Sequence, residues 1–143
     1  MINSILLVDD ENLFHLVFED ACSLLDITLN LDALSSADEA ANLFDKWQGL
    51  PDKKPDCVFV DLNIIGSSFN GIELVRKINY EYGNGVVIGI ISSSADQEEM
   101  GKAIQAGAQF WIVKSDDIEP RLEEFKKDYD GYVNRTNPWK VYK

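Results

Sequence analysis

The chain has 143 residues, of which 45% are hydrophobic and 27% charged, a composition typical of one globular domain with a sizeable core. It carries 25 acidic against 13 basic side chains, for a net charge of -12 at pH 7. An acidic surface repels nucleic acid and anionic lipid, because both bind mainly cationic side chains, and no apolar run approaches the roughly 20 residues of a membrane-spanning helix. A single domain with no nucleic-acid and no membrane partner is therefore predicted.

The N-terminus and the two cysteines favour the cytoplasm. No basic stretch precedes the short apolar run that begins at Ile5, so an export signal is not expected. Cys22 and Cys57 are too few for a disulfide framework and are expected to be reduced, buried thiols.

The first part of the chain alternates strand and helix patterns. Ile5–Val8 is a continuous apolar run, as expected of a strand covered on both faces. Glu11–Leu25 carries apolar residues at helical spacing. Thr28–Leu34 alternates polar and apolar residues, which favours a half-exposed strand at the edge of a sheet. A capping-box pattern at Ser36 begins a helix that runs to about Trp47.

The middle of the chain continues this alternation. Residues 49–56 form a turn-rich connector. Cys57–Val60 and Val86–Ile91 are further continuous apolar strands, and Gly71–Tyr82 between them is a helix with one apolar face.

The last third adds two helices and a strand. Asp96 can cap a helix that reaches Ala106 and ends at Gly107. Phe110–Val113 is the fifth strand, and Pro120 lies in the first turn of the final helix. The chain ends in a short tail with aromatic residues, which is expected either to pack on the domain or to dock to a partner.

The order of these elements predicts the fold. An alternation βαβαβαβαβα indicates an α/β protein whose parallel sheet has helices on both faces. Right-handed crossovers favour a doubly wound five-stranded parallel sheet of order 2-1-3-4-5. Such sheets bind ligands just beyond the carboxyl ends of their strands.

Charged and polar side chains are expected at that edge. Asp9 and Asp10 follow the first strand, Asp61 the third, Ser92 ends the fourth, and Lys114 follows the fifth. Close carboxylates repel one another unless a cation is present, and a hard divalent ion such as Mg²⁺ suits them. The third carboxylate can then act as a nucleophile toward phosphorus, while the ammonium and the hydroxyl bind phosphoryl oxygens. Such a site makes and holds an acyl phosphate.

These residues stand in motifs that resemble the receiver domain of two-component response regulators. The matching pieces are Ile5-Leu6-Leu7-Val8-Asp9-Asp10-Glu11, Val58-Phe59-Val60-Asp61-Leu62-Asn63, Ile90-Ile91-Ser92-Ser93, Ala106-Gly107-Ala108 and Phe110-Trp111-Ile112-Val113-Lys114. The resemblance implies a flavodoxin-like receiver domain at residues 1–134, followed by a C-terminal tail at residues 135–143.

The resemblance also implies a phosphotransfer site. Asp61 is then the phosphoacceptor, which takes a phosphoryl group from a sensor histidine kinase or a phosphotransfer protein. Asp9 and Asp10 hold Mg²⁺, and Asp61 and the backbone carbonyl of Asn63 complete the protein ligands. Lys114 pairs with the phosphoryl group.

Further positions carry the family's switch. Ser92 turns toward the phosphoryl group, with Ser93 as its substitute, and Trp111 is the aromatic switch residue that follows it inward. Asn63 and Ser94 tune the rate of dephosphorylation. A second interpretation of Trp111, as plain core of an edge strand, stays open.

The function implied by the resemblance is a stand-alone, chemotaxis-regulator-like switch. It is a regulator and not an enzyme, although slow self-dephosphorylation is implied. It acts through contacts with an unknown downstream protein, using the face formed by the fourth helix, fifth strand and fifth helix. Formation of a homodimer through this face stays open.

The chain departs from the family's pattern at two loops. Ser115 follows Lys114 where the family usually has proline. The usual proline after Asp61 is also absent, and the stretch to Gly71 is two residues longer and polar. The second loop borders the predicted site, so altered access of a partner or of water is expected.

Two other functions remain as alternatives. A pseudo-receiver would act as a scaffold without taking phosphate. A Mg²⁺-dependent phosphatase of the haloacid-dehalogenase type needs a second acid two residues after the nucleophile, where this chain has Asn63, and an amide cannot donate the proton. His15 is the only histidine and is expected to be an ordinary packed or half-exposed residue.

Overall fold

The computed structural model describes residues 2–47, 50, 54–64 and 70–143. Over these residues the chain forms, in order, β1 Ile2–Val8, α1 Asn12–Leu24, β2 Thr28–Leu34, α2 Ala37–Trp47, β3 Cys57–Asp61, α3 Gly71–Tyr82, β4 Val87–Ser92, α4 Gln97–Ala106, β5 Phe110–Val113, α5 Glu119–Val133 and β6 Lys140–Tyr142. Half of the predicted connector at residues 49–56 (residues 49 and 51–53) and most of the longer loop after Asp61 (residues 65–69) lie outside the described residues. None of the helices within the described ranges is both long and apolar enough to cross a bilayer.

All strands of the sheet run parallel, in the order β2-β1-β3-β4-β5-β6. The predicted order of the first five strands is confirmed, and so is the position of β2 at an edge. The predicted helix caps at Ser36, Asp96 and Gly107 are confirmed as well, and α1 is one residue shorter at each end than predicted. Glu39 donates its backbone N–H to Ser36 at 3.1 Å, Asp96 caps α4 by accepting from the Glu99 N–H at 3.2 Å, and Gly107 ends α4 with a left-handed φ of 115°.

The sixth strand, β6, is the difference from the predicted five-stranded sheet. It is formed by the tail and pairs with β5, with Val141 opposite Trp111. Tyr142 is buried, and its hydroxyl donates to Asp128 on α5 at 2.7 Å. Lys140 forms ion pairs with Asp128 and with Glu124. Of the two alternatives for the tail, the structure therefore shows packing on the domain.

Successive strand residues pack into two separate hydrophobic cores, one on each face of the sheet, because side chains alternate across a sheet. Leu7, Phe59 and Phe110 pack with the apolar faces of α1 and α5. Leu6 and Val58 point to the other side and pack with α2, α3 and α4. The sheet is thus covered on both faces, as its continuous apolar strands predict. Cys22 and Cys57 are free and buried, as expected.

Gly71, at the start of α3, allows the helix to approach the strand that carries Asp61. A Cβ at this position would overlap the carbonyl oxygen of Asp61 and touch Leu62. Because those atoms belong to the backbone, they cannot give way as a flexible side chain would.

Gly71→Ala is therefore expected to lower the free energy of unfolding by about 1–3 kcal/mol through overpacking, measured by urea denaturation. Gly101→Ala on α4 is the matched control, since a Cβ there meets nothing within 4 Å. The control should gain up to about 1 kcal/mol from helix propensity. Equal effects of the two substitutions would contradict the close approach at Gly71.

Candidate functional site

The register of the central strands places the predicted site residues at one edge of the sheet. Val8 pairs with Val60, so Asp9 directly beyond β1 lies beside Asp61 at the end of β3. The Lys114 backbone N–H donates to the Ser92 carbonyl at 2.7 Å, which ties the residue after β5 to the last residue of β4. The side chains at the ends of β1, β3, β4 and β5 therefore lie at the same edge of the sheet.

Three carboxylates meet at this edge. Oxygens of Asp9, Glu11 and Asp61 all lie within 4.8 Å of one another. Asp9 is fully buried and Asp61 is 4% exposed, whereas Glu11 is an exposed residue. Backbone N–H groups fix the two buried carboxylates: Glu11 donates to Asp9 Oδ1 at 2.8 Å and Asn63 donates to Asp61 Oδ1 at 3.2 Å.

Lys114 is inserted among these acids. Its Nζ lies 2.8 Å from Asp9 Oδ2, 2.5 Å from Glu11 Oε1 and 3.5 Å from Asp61 Oδ2. The ammonium also sits 4.7 Å from the centroid of the Phe14 ring, a cation–π distance. One ammonium faces three carboxylates, so the cluster keeps an excess of two negative charges when all of its groups are ionised.

The excess charge perturbs the titration of the cluster. Burial, followed by the charge of Asp9, raises the pKa of Asp61 from 3.8 to about 6, although Lys114 opposes the shift. Burial alone would lower the pKa of Lys114, but hydrogen bonds to Asp9 and Glu11 and the nearby charge of Asp61 outweigh it and raise this pKa above its ordinary value. Lys114 is therefore a permanent cation at neutral pH.

The donor set suits a hard divalent cation. Every candidate ligand atom is a carboxylate oxygen, the donor that Mg²⁺ and Mn²⁺ prefer, and the group has two more negative charges than its lysine can neutralise. Asp10, predicted as a ligand, lies next to Asp9 in the chain and is half-buried. Among the described residues, the carboxylates that lie close enough to share a metal ion are those of Asp9, Glu11 and Asp61, and Asp10 is not in this group.

The predicted switch residues lie on the neighbouring strands. Ser92 is buried, and its Oγ accepts from the Ser94 N–H at 3.4 Å. Trp111 is fully buried in the core between the sheet and α4, and its indole N–H donates to the Ser94 carbonyl at 2.9 Å. Ser94 thus connects the serine at the site to the tryptophan beneath it. His15 is half-buried, as expected, with Nε2 at 2.5 Å from the Asp9 carbonyl oxygen.

Glu11 is the site residue that the sequence analysis did not single out. It appears there as the last residue of the first motif and as the first residue of a predicted helix, with no role in the site. The signal in the sequence is that a third acidic residue directly follows Asp9 and Asp10. It lies between the end of β1 and the start of α1 at Asn12, and so near the same edge of the sheet.

Asp61→Asn is expected to stabilise the metal-free protein at neutral pH. A carboxyl whose pKa is raised by folding contributes stability at low pH, and this contribution is lost as the pH rises through about 6. The difference between 3.8 and about 6 corresponds to at most about 3 kcal/mol. In chelator, the variant should be more stable than wild type by about 1–3 kcal/mol at pH 7.5, with the difference reduced to about a third at pH 4.5, which still lies above the unfolded-state pKa of 3.8. Urea unfolding curves at the two pH values test this, and a pH-independent difference would contradict it.

Comparison with known proteins agrees with the fold. The family model of the response regulator receiver domain matches residues 5–124. The uncharacterized transcriptional regulatory protein YhcZ of Bacillus subtilis (strain 168) is 30% identical over 89 residues, which are 62% of this chain and 39% of that protein. The chain thus spans about two-fifths of the length of this curated relative.

Two crystal structures show the same fold. A two-component response regulator from Cytophaga hutchinsonii superposes with a TM-score of 0.77 at 20% identity, covering 93% of this chain and 98% of that chain. The Mn²⁺-bound form of response regulator Rcp1 gives a TM-score of 0.73 at 16% identity, covering 89% and 94%. With the family match over residues 5–124 and the acidic cluster at the expected strand ends, this chain belongs to the response regulator receiver domain family of two-component systems.

Proposed function

We propose that this protein is a phosphorylation-controlled signalling switch that accepts a phosphoryl group on Asp61 from a histidine kinase or a phosphotransfer protein. The observation that carries the proposal is the position of Asp61 among two other carboxylates and Lys114. Proteins with this arrangement need a cation for the acids and offer an ammonium to an incoming phosphoryl group.

Burial and contact distances favour Asp61 over Asp9 as the nucleophile. Asp9 is fully buried; its Oδ1 accepts a hydrogen bond from the Glu11 N–H at 2.8 Å, and its Oδ2 forms an ion pair with Lys114 Nζ at 2.8 Å. The corresponding distances at Asp61 are 3.2 Å and 3.5 Å. The lone pairs of Asp61 are therefore less firmly engaged, and its carboxylate is the one available for attack.

The transfer is a substitution at phosphorus. An oxygen of Asp61 forms the new P–O bond while the P–N bond of the donor phosphohistidine breaks, and the imidazole keeps the electron pair and takes a proton from solvent. Lys114 pairs with a phosphoryl oxygen and thereby gives up part of its present pairing with Asp9 and Glu11.

The acidic cluster would hold the metal. Asp9, Asp61 and Glu11 supply carboxylate oxygens, and the family resemblance adds Asp10 and the backbone carbonyl of Asn63. When bound, Mg²⁺ would neutralise the excess charge of the acids and of the phosphoryl group. The Mn²⁺-bound form of Rcp1 supports a divalent ion in a protein of this fold.

The route from the site to the surface passes through Ser94. If the Ser92 hydroxyl turns to the phosphoryl group, it gives up its contact with the Ser94 N–H. The Ser94 carbonyl holds the Trp111 indole, so a shift of this loop reaches the core beside α4 and β5. We propose that downstream proteins recognise the face between α4 and α5, where β6 covers the edge of β5 and Trp111 lies beneath the surface.

The experiment is incubation with acetyl phosphate and Mg²⁺, followed by the intact mass of the protein. The expected result is the addition of one phosphoryl group, which disappears when the metal is chelated. A protein that shows no adduct on rapid sampling and binds no beryllofluoride with Mg²⁺ would contradict the proposal and favour a scaffold.

A further inference from the structure

The loop after Lys114 is held by two side chains rather than by a proline. Ser115 Oγ accepts a hydrogen bond from the Asp117 N–H at 3.2 Å and another from Arg121 Nη1 at 2.6 Å. The same Nη1 donates to the Asp117 carbonyl at 3.0 Å. These three bonds close the turn between β5 and α5, which the family's proline would otherwise restrict through its fixed φ.

Arg121 binds this loop through uncharged partners and not through a carboxylate. It is half-buried in the first turns of α5, and no carboxylate forms an ion pair with it among the residues that the structure describes. Its Nε is buried and lacks a hydrogen-bond partner within the same residues. In a chain with 25 acidic side chains, a guanidinium that binds a hydroxyl and a carbonyl instead of an acid indicates a positional role.

The position of Lys114 depends on this loop. Its backbone is fixed on one side by the bond from its N–H to the Ser92 carbonyl at 2.7 Å. On the other side the chain continues directly into Ser115. A lysine side chain is long and flexible, so the placement of its Nζ among the three carboxylates requires a fixed Cα and a fixed direction of the following peptide.

We propose that Ser115 and Arg121 form a clasp that positions Lys114 for phosphoryl transfer, in place of the proline that usually follows this lysine. Both are positioning residues, since neither reaches the carboxylates. The inference rests on the proposed function for its kinetic consequence, but the order of the loop can be measured without any phosphoryl transfer.

The kinetic test uses the rate of adduct formation from acetyl phosphate with Mg²⁺. Ser115→Ala and Arg121→Met should each slow the reaction about tenfold, because small misplacements of a charge-bearing group are costly. Ser115→Thr, which retains the hydroxyl, should keep most of the wild-type rate. Lys127→Met, which removes an exposed cation from the same helix, should leave it unchanged.

A double substitution separates positioning from a general loss of structure. In a Lys114→Met background the clasp has no ammonium to position, so adding Ser115→Ala should cause no further slowing. An equal tenfold loss in both backgrounds would overturn the proposal, as would wild-type rates in both single variants.

Amide hydrogen exchange gives a second readout that needs no adduct. Ser115→Ala should accelerate exchange at residues 114–117 and leave the middle of α5 protected, while Lys127→Met should change neither. If wild type takes no phosphoryl group, the proposed function fails and this measurement still decides on the clasp. Unchanged exchange at residues 114–117 would overturn it.

Discussion

Replacing Asp61 by Asn is expected to abolish the phosphoryl adduct altogether. An amide oxygen is a far poorer nucleophile than a carboxylate and cannot form an acyl phosphate. The neighbouring Asp9 should not substitute for it, because both of its oxygens are engaged and its side chain has no exposed surface. Intact mass after acetyl phosphate and Mg²⁺ measures the result.

The matched control for this loss is Asp32→Asn, which makes the same chemical change at an exposed position of β2. It should form the adduct at the wild-type rate. An Asp61→Asn protein that is folded and still takes one phosphoryl group would mean that another residue is the acceptor.

The second large effect is expected for Lys114→Met. Removal of one charged group that stabilises the transition state typically costs 10²–10³-fold in rate, so adduct formation should slow by about a hundredfold. Without metal, the variant should also lose about 3–5 kcal/mol of stability, as buried charges do when their partner is removed. The acids of the cluster then face one another with no ammonium between them.

Mg²⁺ should partly reverse this destabilisation, because a divalent ion can replace the missing positive charge. Lys114 now competes for the same oxygens, so the variant should bind Mg²⁺ more tightly than wild type, as measured by calorimetry. Lys102→Met, at a lysine whose side chain is 62% exposed with a 3.9 Å contact to Glu98, serves as the control and should change stability by less than about 0.5 kcal/mol. Weaker Mg²⁺ binding by Lys114→Met would contradict this view of the site.

Local patterns were sufficient for most of the fold. β2 and α3 begin and end at the residues that alternation and helical spacing indicate. β6 could not be found in this way, because three residues are too few for a pattern. Its stability comes from non-local contacts: Val141 pairs with Trp111 on β5, and Tyr142 reaches Asp128 on α5.

The convergence of Asp9, Asp61 and Lys114 follows from the rule that parallel strands end at one edge of the sheet. The place of Glu11 does not, since it depends on how the chain leaves β1 and on the reach of one long side chain to Lys114. The clasp of Ser115 and Arg121 could not be predicted from the sequence either, because it depends on the path of the loop and on the reach of the arginine side chain. The sequence shows that proline is absent, and only the three-dimensional structure shows what replaces it.

Trp111 illustrates a different limit. Its position after an apolar run indicates burial but cannot say whether the ring moves. The structure shows it buried and bonded to the Ser94 carbonyl, an arrangement that suits a core residue and a switch residue alike. Its role as a switch remains a prediction.

The acceptor residue can be identified directly by reducing the phosphorylated wild-type protein with borohydride, which converts an aspartyl phosphate to homoserine, and sequencing the peptides. Homoserine at position 61, and at no other aspartate, is the result that we predict. Homoserine at position 9 or 10, or its absence from a protein whose mass shows the adduct, would contradict Asp61 as the phosphoacceptor.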